Sequence, residues 1–506
     1  MRISGPGEAR RDIGQWLVVW AVVLQSGAVS DQNGLGKRGT AAASQTQQTL
    51  HGQIDAAITT AANNKCRVGA RVLSLPQGDV VYSFQADELF KPASNMKVVT
   101  TAAAVAILGA DFTFRTFVCL RGNDLVIIGD GDPGLGDPKL NPNGTPVTDV
   151  FHRWAEALER MSVTRIPGDL LIDDSIFDRD FVNPNWDKNQ LQAWYSAPVG
   201  GLNFNDNCID TWVYPAEDRK SVLFEMTPRL AGIKVINKLG IGSKPRPAIR
   251  RIGPGMCYQL TGRVDRRTAL GPVTVDDPGL FTAGACRTAL AAKGIRIAGK
   301  TRRANVRTLN GIVPRDCQII AFHQTPLADV LQRANKDSQN LFAECLLRRI
   351  GYEHALRSKL PNPVGSLATG RAGVCAFLAT LDPNADRFVI DDGSGLSHQN
   401  RISPKVITEL LKARYTAPQA RNLFLGSFSV SGVDGTLKRR MKNIAGKVHA
   451  KTGYIRGVRS LSGYVENAAG QWYCFSVLFD SVKGGIDFAN RCHDQICQAL
   501  ATCNPG

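Results

Sequence analysis

The stretch Pro92-Ala93-Ser94-Asn95-Met96-Lys97 opens an apolar run, Val98-Val99-Thr100-Thr101-Ala102-Ala103-Ala104-Val105-Ala106-Ile107-Leu108, which stops at Gly109. A proline just ahead of such a run and a glycine just past it predict a helix. Ser94 then lies in the first turn or just before it. Positions three apart share a helix face, so the Ser94 hydroxyl and the Lys97 amine can meet. A serine hydroxyl is a poor nucleophile until a neighbour takes its proton. A desolvated lysine can take it, because burial disfavours the charged amine. The helix N-terminus adds free N–H groups and partial positive charge beside any oxyanion formed there. A capping serine and a solvated lysine fit the same residues, so the rest of the chain has to decide.

At 506 residues the chain can hold two or three domains with sizeable cores. A hydrophobic share of 43% and a charged share of 21% are those of a soluble globular protein. The net charge of +17 suits an anionic surface or polymer. Nucleic acid is disfavoured as a partner, because no basic run with interleaved aromatics occurs. Residues 1–30 read as a secretory signal peptide, with Arg2, Arg10 and Arg11 ahead of an apolar core, Trp16–Leu24. That core is too short to span a membrane comfortably. The location expected is therefore exported and periplasmic, or membrane-associated if the signal stays uncleaved. An even count of 12 cysteines behind an export signal predicts some disulfides, with free buried thiols as the alternative. No metal or cofactor motif is present: Cys-x-x-Cys and His-Glu-x-x-His are both absent.

Residues 31–50 are polar and read as a flexible lead-in, and Ile54, Ala57, Ile58 and Ala61 recur at helical spacing after it. Runs at 68–73 and 80–84, joined by the turn signal Pro76-Gln77-Gly78-Asp79, predict a hairpin. From 118 to 320 short β-branched runs alternate with turn residues. This predicts a mostly β insertion, in two parts, with helices at 150–161 and 280–293. Helical periodicity returns at 326–350 and again near 404–414. Three consecutive antiparallel strands are predicted at 447–479, then a C-terminal helix over about 485–501.

Three short motifs now stand in order: Ser94-x-x-Lys97, Ser338-x-Asn340 and Lys451-Thr452-Gly453. Each is weak alone. Together they are the Ser-x-x-Lys, Ser-x-Asn, Lys-Thr-Gly set of penicillin-binding proteins and serine β-lactamases. The chain resembles the class C low-molecular-mass penicillin-binding proteins, the D-alanyl-D-alanine carboxypeptidase/endopeptidase family, over about residues 50–500. The matching stretches are Gly129-Asp130-Gly131-Asp132-Pro133, Ala197-Pro198-Val199, Asn335–Asn340, Asp392-Gly393-Ser394-Gly395-Leu396-Ser397, Gly432–Leu437 and the Lys-Thr-Gly strand. Ser94 and Ser338 lie 244 residues apart, and a long insertion there is characteristic of the family.

The resemblance implies an α/β (α+β) fold: a transpeptidase domain of the penicillin-binding-protein/β-lactamase type, with an antiparallel sheet flanked by helices, split into 51–117 and 321–506 around the insertion at 118–320. It implies a serine-type carboxypeptidase/endopeptidase that cleaves D-Ala-D-Ala stem peptides of peptidoglycan and is acylated by β-lactams. By residue type and family pattern, Ser94 is the nucleophile and Lys97 the base. Ser338 relays the proton, while Asn340 holds Lys97 and the substrate amide. Lys451 and Thr452 receive the terminal carboxylate, Gly453 lets substrate lie along the strand, and the N–H of Tyr454 joins that of Ser94 in an oxyanion hole. Two positions depart from the pattern. His398 stands where the family often has Arg, which puts specificity for the peptide side chain in question. Asp173 matches an acidic residue that reaches the substrate's diamino-acid amine, and reads equally well as a turn residue. The alternatives are a β-lactamase or esterase on the same scaffold, for which no Glu-held water is evident, and a catalytically silent wall-binding protein.

Two other motif matches fail on context. Gly294–Thr301 spells a P-loop, but no apolar-periodic helix follows Thr301. Gly129-x-Gly131-x-x-Gly134 follows a strand, but Asp130 and Asp132 would repel a pyrophosphate, and Pro138 and Pro142 break any helix after it. His449 is expected to pack on its strand.

Overall fold

The computed structural model describes residues 37–142, 144–253, 255–308, 313–381, 388–482 and 486–503. The proposed signal peptide lies outside them. At its centre is a six-stranded antiparallel sheet in the order Ser429–Val430, Val448–Ile455, Val458–Glu466, Trp472–Asp480, Arg67–Leu75, Val80–Phe84. The predicted hairpin and the three consecutive C-terminal strands are all in it. The near-continuous apolar run at 472–479 follows from burial on both faces. Tyr473, Phe475, Val477 and Phe479 enter one core, whereas Cys474 and Leu478 enter the other. The first core is closed by the helices Lys37–Asn63 and Ile486–Thr502. The second is closed by Met96–Leu108, Leu327–Asn335, Asn340–Arg357, Leu367–Ala379 and Pro404–Thr416.

The chain leaves this unit through the strand Thr113–Arg121 and returns through Gln318–Pro326, and these two pair with each other. The expected limits of the insertion, at 118 and 320, fall inside this pair. Beyond it lies a five-stranded sheet in which Asp124–Ile128, Leu170–Asp173 and Thr301–Arg303 run parallel. Two smaller sheets follow, one around Cys208–Pro215 and one around Cys257–Val264. The helices Asp149–Arg160 and Pro278–Ala292 pack together in the core of the insertion.

Two sequence expectations are corrected here. The lead-in is helical from Lys37 onward. Its Ala and Gln residues tolerate helix, and no proline interrupts residues 37–63. Apart from Cys66, the cysteines are thiols in the structure, and the predicted disulfides are not seen among them. Most of the cysteines sit in the cores as small apolar side chains, with Cys66, Cys492 and Cys497 in one cluster and Cys345 and Cys474 in another. The P-loop match also dissolves, because its Thr301 starts a strand.

Candidate active site

Ser94 sits in a tight turn, Ala93–Asn95, that runs directly into the helix Met96–Leu108. Ala93 has a φ of +47°, a left-handed conformation that costs a non-glycine residue energy and turns the Ser94 side chain toward the sheet edge. The helix is buried from Met96 to Val105, which takes Lys97 out of water. Its amine reaches Ser94 Oγ at 3.1 Å, Asn340 Oδ1 at 2.6 Å and the Ser394 carbonyl at 2.8 Å. Burial lowers the Lys97 pKa to about 7, against the opposing pull of Asp392 and Glu344. Asn340 Oδ1 and the Ser394 carbonyl can only accept hydrogen bonds. They occupy both N–H bonds of a neutral amine, so its lone pair is left facing Ser94 Oγ.

The second motif lies between the helices Leu327–Asn335 and Asn340–Arg357. Ser338 is left-handed, with a φ of +58°. Its hydroxyl donates to Ser94 Oγ at 3.3 Å and accepts from Lys451 Nζ at 2.9 Å. Lys451 is fully buried, and its other contact is the Thr452 carbonyl at 2.7 Å. Burial, and then repulsion from Lys97, push its pKa well below that of a free lysine. Residues 244 and 113 positions apart thereby form one chain of contacts, Lys97–Ser94–Ser338–Lys451. The hydroxyl of Thr452 donates to that of Thr436 at 2.9 Å, and both line the cleft in front of Ser94.

The cleft has a volume of about 740 Å³. Ser94, Ser338, Asn340, Thr452, the exposed Tyr454, His398 and Arg456 line it. The insertion supplies the facing wall with Asn185, Asp187, Gln190, Trp194 and Tyr195. The Tyr195 carbonyl accepts from Asn340 Nδ2 at 2.7 Å, which ties this wall to the second motif.

Two expected substrate contacts are not in the cleft. Asp173 is fully buried at the end of a strand of the insertion. Its carboxylate accepts from the N–H groups of Ser175, Val306 and Arg307 and from the Ser175 hydroxyl. It is a turn residue that pins two loops together. Gly453 is buried as well. A Cβ there would lie 1.9 Å from Ser460 Oγ and 2.9 Å from the Pro92 carbonyl. Its small size lets the strand pack against the nucleophile turn.

The sequence reading missed the support behind Lys97. The loop Asp392–Ser397 presents the Ser394 carbonyl to the amine. Asp392 holds this loop by accepting from Gly395 N (2.7 Å), Ser397 N (2.6 Å), Asn400 Nδ2 (2.7 Å) and Trp186 Nε1 (2.9 Å). Glu344 accepts from Ser394 N at 2.8 Å, and burial and then Asp392 raise its pKa to about 7. Gly395 has a φ of +80°, and a Cβ there would meet the Ala93 carbonyl at 1.7 Å, so only glycine lets the loop touch the nucleophile turn. Asn95 ties the same turn to the sheet by donating to the Lys451 carbonyl at 2.9 Å. Asp392, Ser394 and Thr436 lie in stretches the sequence had already marked. Nothing marked Glu344, which is one acid inside a helix buried on nearly every side.

A serine flanked by a buried lysine and a second serine–lysine pair, at the edge of an antiparallel sheet, is the site of an active-serine peptidase. The chain belongs to the D-Ala-D-Ala carboxypeptidase 3 (S13) family, whose profile matches residues 50–502. It is 29% identical over 483 residues to a D-alanyl-D-alanine carboxypeptidase of Actinomadura sp. strain R39, covering 89% of this chain and 84% of that one. It is 26% identical over 438 residues to the D-alanyl-D-alanine carboxypeptidase DacB of Haemophilus influenzae, covering 83% and 86%. The fold matches the crystal structure of penicillin binding protein 4 from Haemophilus influenzae with a TM-score of 0.71 at 22% identity, over 88% of this chain and 99% of that one. The same relative has been crystallised with a β-lactam, and that structure matches with a TM-score of 0.68.

Proposed function

We propose that this serine-type D-Ala-D-Ala carboxypeptidase works through an acyl-enzyme on Ser94, with Lys97 as its base, and that its substrates are stem peptides of peptidoglycan. The observation that carries this reading is the environment of Lys97: an amine stripped of water, with two fixed acceptors on one side and Ser94 Oγ on the other. Ser94 Oγ bonds to the carbonyl carbon of the D-Ala-D-Ala link as its proton moves to Lys97 Nζ. The oxyanion rests against the N–H groups of Ser94 and Tyr454. The C–N bond then breaks, and a proton passes through Ser338 to the leaving amine. Water hydrolyses the ester and restores the serine. The leaving residue's carboxylate meets the hydroxyls of Thr452 and Thr436, with the Lys451 amine behind Ser338. Among the described residues, the strand Val448–Ile455 has no strand partner past Ala450 on its Ser429–Val430 side, which leaves an edge for an extended peptide. His398 and the wall of the insertion face the rest of that peptide.

In this reading 51–117 and 321–506 form the peptidase domain around the insertion, and the protein acts after export. Among the described residues no helix is long and apolar enough to cross a membrane. A β-lactam would acylate Ser94 in place of the peptide. Fluorescent penicillin should therefore label the wild type covalently and leave Ser94→Ala unlabelled, and the wild type should release D-Ala from a D-Ala-D-Ala peptide. A folded wild type that neither labels nor turns over would make this a silent binding protein. Rapid turnover of penicillin would make it a β-lactamase.

A further inference from the structure

The positive charge of the chain is concentrated. Residues 234–264 contain seven Lys or Arg and no Asp or Glu, and so carry +7 of the net +17. They build one small sheet. Its central strand, Cys257–Val264, pairs antiparallel with Ala248–Arg251 and parallel with Lys234–Ile241. The register sorts the side chains, because partners across a ladder share a face. Lys234, Ile236 and Lys238 pair with Cys257, Gln259 and Thr261, and Arg250 also pairs with Gln259. Lys234, Lys238 and Arg250 therefore stand on one face. Arg263, two residues beyond Thr261, joins them, and all four are exposed. The other face turns Val235, Leu239, Ile249, Tyr258 and Leu260 into the cores of the insertion.

Elsewhere in the insertion and the helices beside it, several arginines are held by carboxylates. Arg333 is held by Asp137, Asp206 and Asp337, and Arg303 by Asp174 and Asp277. Among the described residues none of the seven cations in 234–264 forms an ion pair. Arg250 and Arg263 donate to neutral oxygens, those of Gln259 and Ile241. The carboxylate bonded to this segment, Asp276, holds the Gly255 N–H at the hairpin end.

We propose that this face binds a linear polymer bearing phosphate groups. Lys234 and Lys238, four residues apart on one strand, stand about 13 Å apart, with Arg250 level with the midpoint between them and Arg263 a step beyond, a row of cations that suits a chain of repeated anions. A lipid bilayer would need apolar anchors, and among the described residues Ile236 is the large apolar side chain on this face. A nucleic acid would need stacking platforms, and among the described residues no aromatic side chain stands on this face. None of residues 234–264 lines the cleft, so the proposal is independent of the Ser94 chemistry.

The test is binding of labelled inorganic polyphosphate to the full-length protein across a salt series. The triple variant Lys234→Gln, Lys238→Gln, Arg250→Gln should bind at least tenfold more weakly. The slope of log affinity against log salt should fall by about two, at roughly 0.7 per phosphate contact. Penicillin acylation should be unchanged in this variant. A charge-matched control, Lys65→Gln, Lys293→Gln, Lys359→Gln, removes exposed lysines elsewhere and should change binding little. If the triple variant labels poorly with penicillin, Lys238→Gln alone should still lower the slope by about 0.7. Equal losses in variant and control would reduce the effect to net charge and overturn the proposal. So would a wild type that ignores polyphosphate while binding anionic phosphatidylglycerol vesicles or single-stranded DNA through these residues.

Discussion

In the proposed mechanism Lys97 is the base, and its pH behaviour is testable. With its pKa lowered to about 7 by burial, the neutral amine becomes the major form above that pH. The second-order rate of acylation by penicillin should climb as pH rises through about 7 and then level off. A rate flat across that range would remove Lys97 as the base. The Glu344 charge pulls the Lys97 pKa upward, so Glu344→Gln, which keeps an acceptor for Ser394 N, should move the rising limb to lower pH. An unmoved or raised limb would show that Glu344 only packs. Gly453→Ala tests the other close approach. The added methyl meets Ser460 Oγ, and overpacking of this kind costs about 1–3 kcal/mol. Thermal unfolding should register the loss, and adding Ser460→Ala should recover part of it. Ser94 and Lys97 were legible because their spacing puts them on one helix turn. Glu344 was not, since sequence does not mark which acid of a helix will be buried.

At the scale of elements, the loop Asp392–Ser397 joins the insertion to the catalytic lysine. Trp186 of the insertion donates to Asp392, and the loop that Asp392 shapes carries the Ser394 carbonyl to Lys97. Trp186→Phe removes one of four donors to a buried carboxylate, at a cost of about 1–2 kcal/mol. Acylation should slow along with the loss of stability, which labelling kinetics and thermal unfolding would read separately. An unchanged rate would disconnect the insertion from the base. The helices and strands themselves were largely readable, because long periodic segments such as Met96–Leu108 and Trp472–Asp480 state their own type. The parallel pairing inside the insertion was not readable, because short strands carry no mark of direction.

At the scale of the whole molecule, the N-terminal strand Arg67–Leu75 lies beside the late strand Trp472–Asp480, so the two ends of the chain close one sheet around everything between them. The cores, not covalent links, hold it together. The unfolding midpoint should be the same with and without a thiol reductant, and denatured protein should alkylate at core cysteines such as Cys119, Cys286, Cys345 and Cys474. A midpoint that falls on reduction would show disulfides after all.

The sequence by itself determined the three motifs, their order, the helix that opens at Ser94 and the length of the insertion. All of these depend on local spacing, which the chain carries wherever it folds. Only the tertiary structure decided what surrounds Lys97, why Gly453 must be glycine and where Asp173 points. These depend on burial and on contacts between residues hundreds of positions apart. Desolvation, which lowers the Lys97 pKa, is a property of the packed interior, and no single stretch of the chain states it.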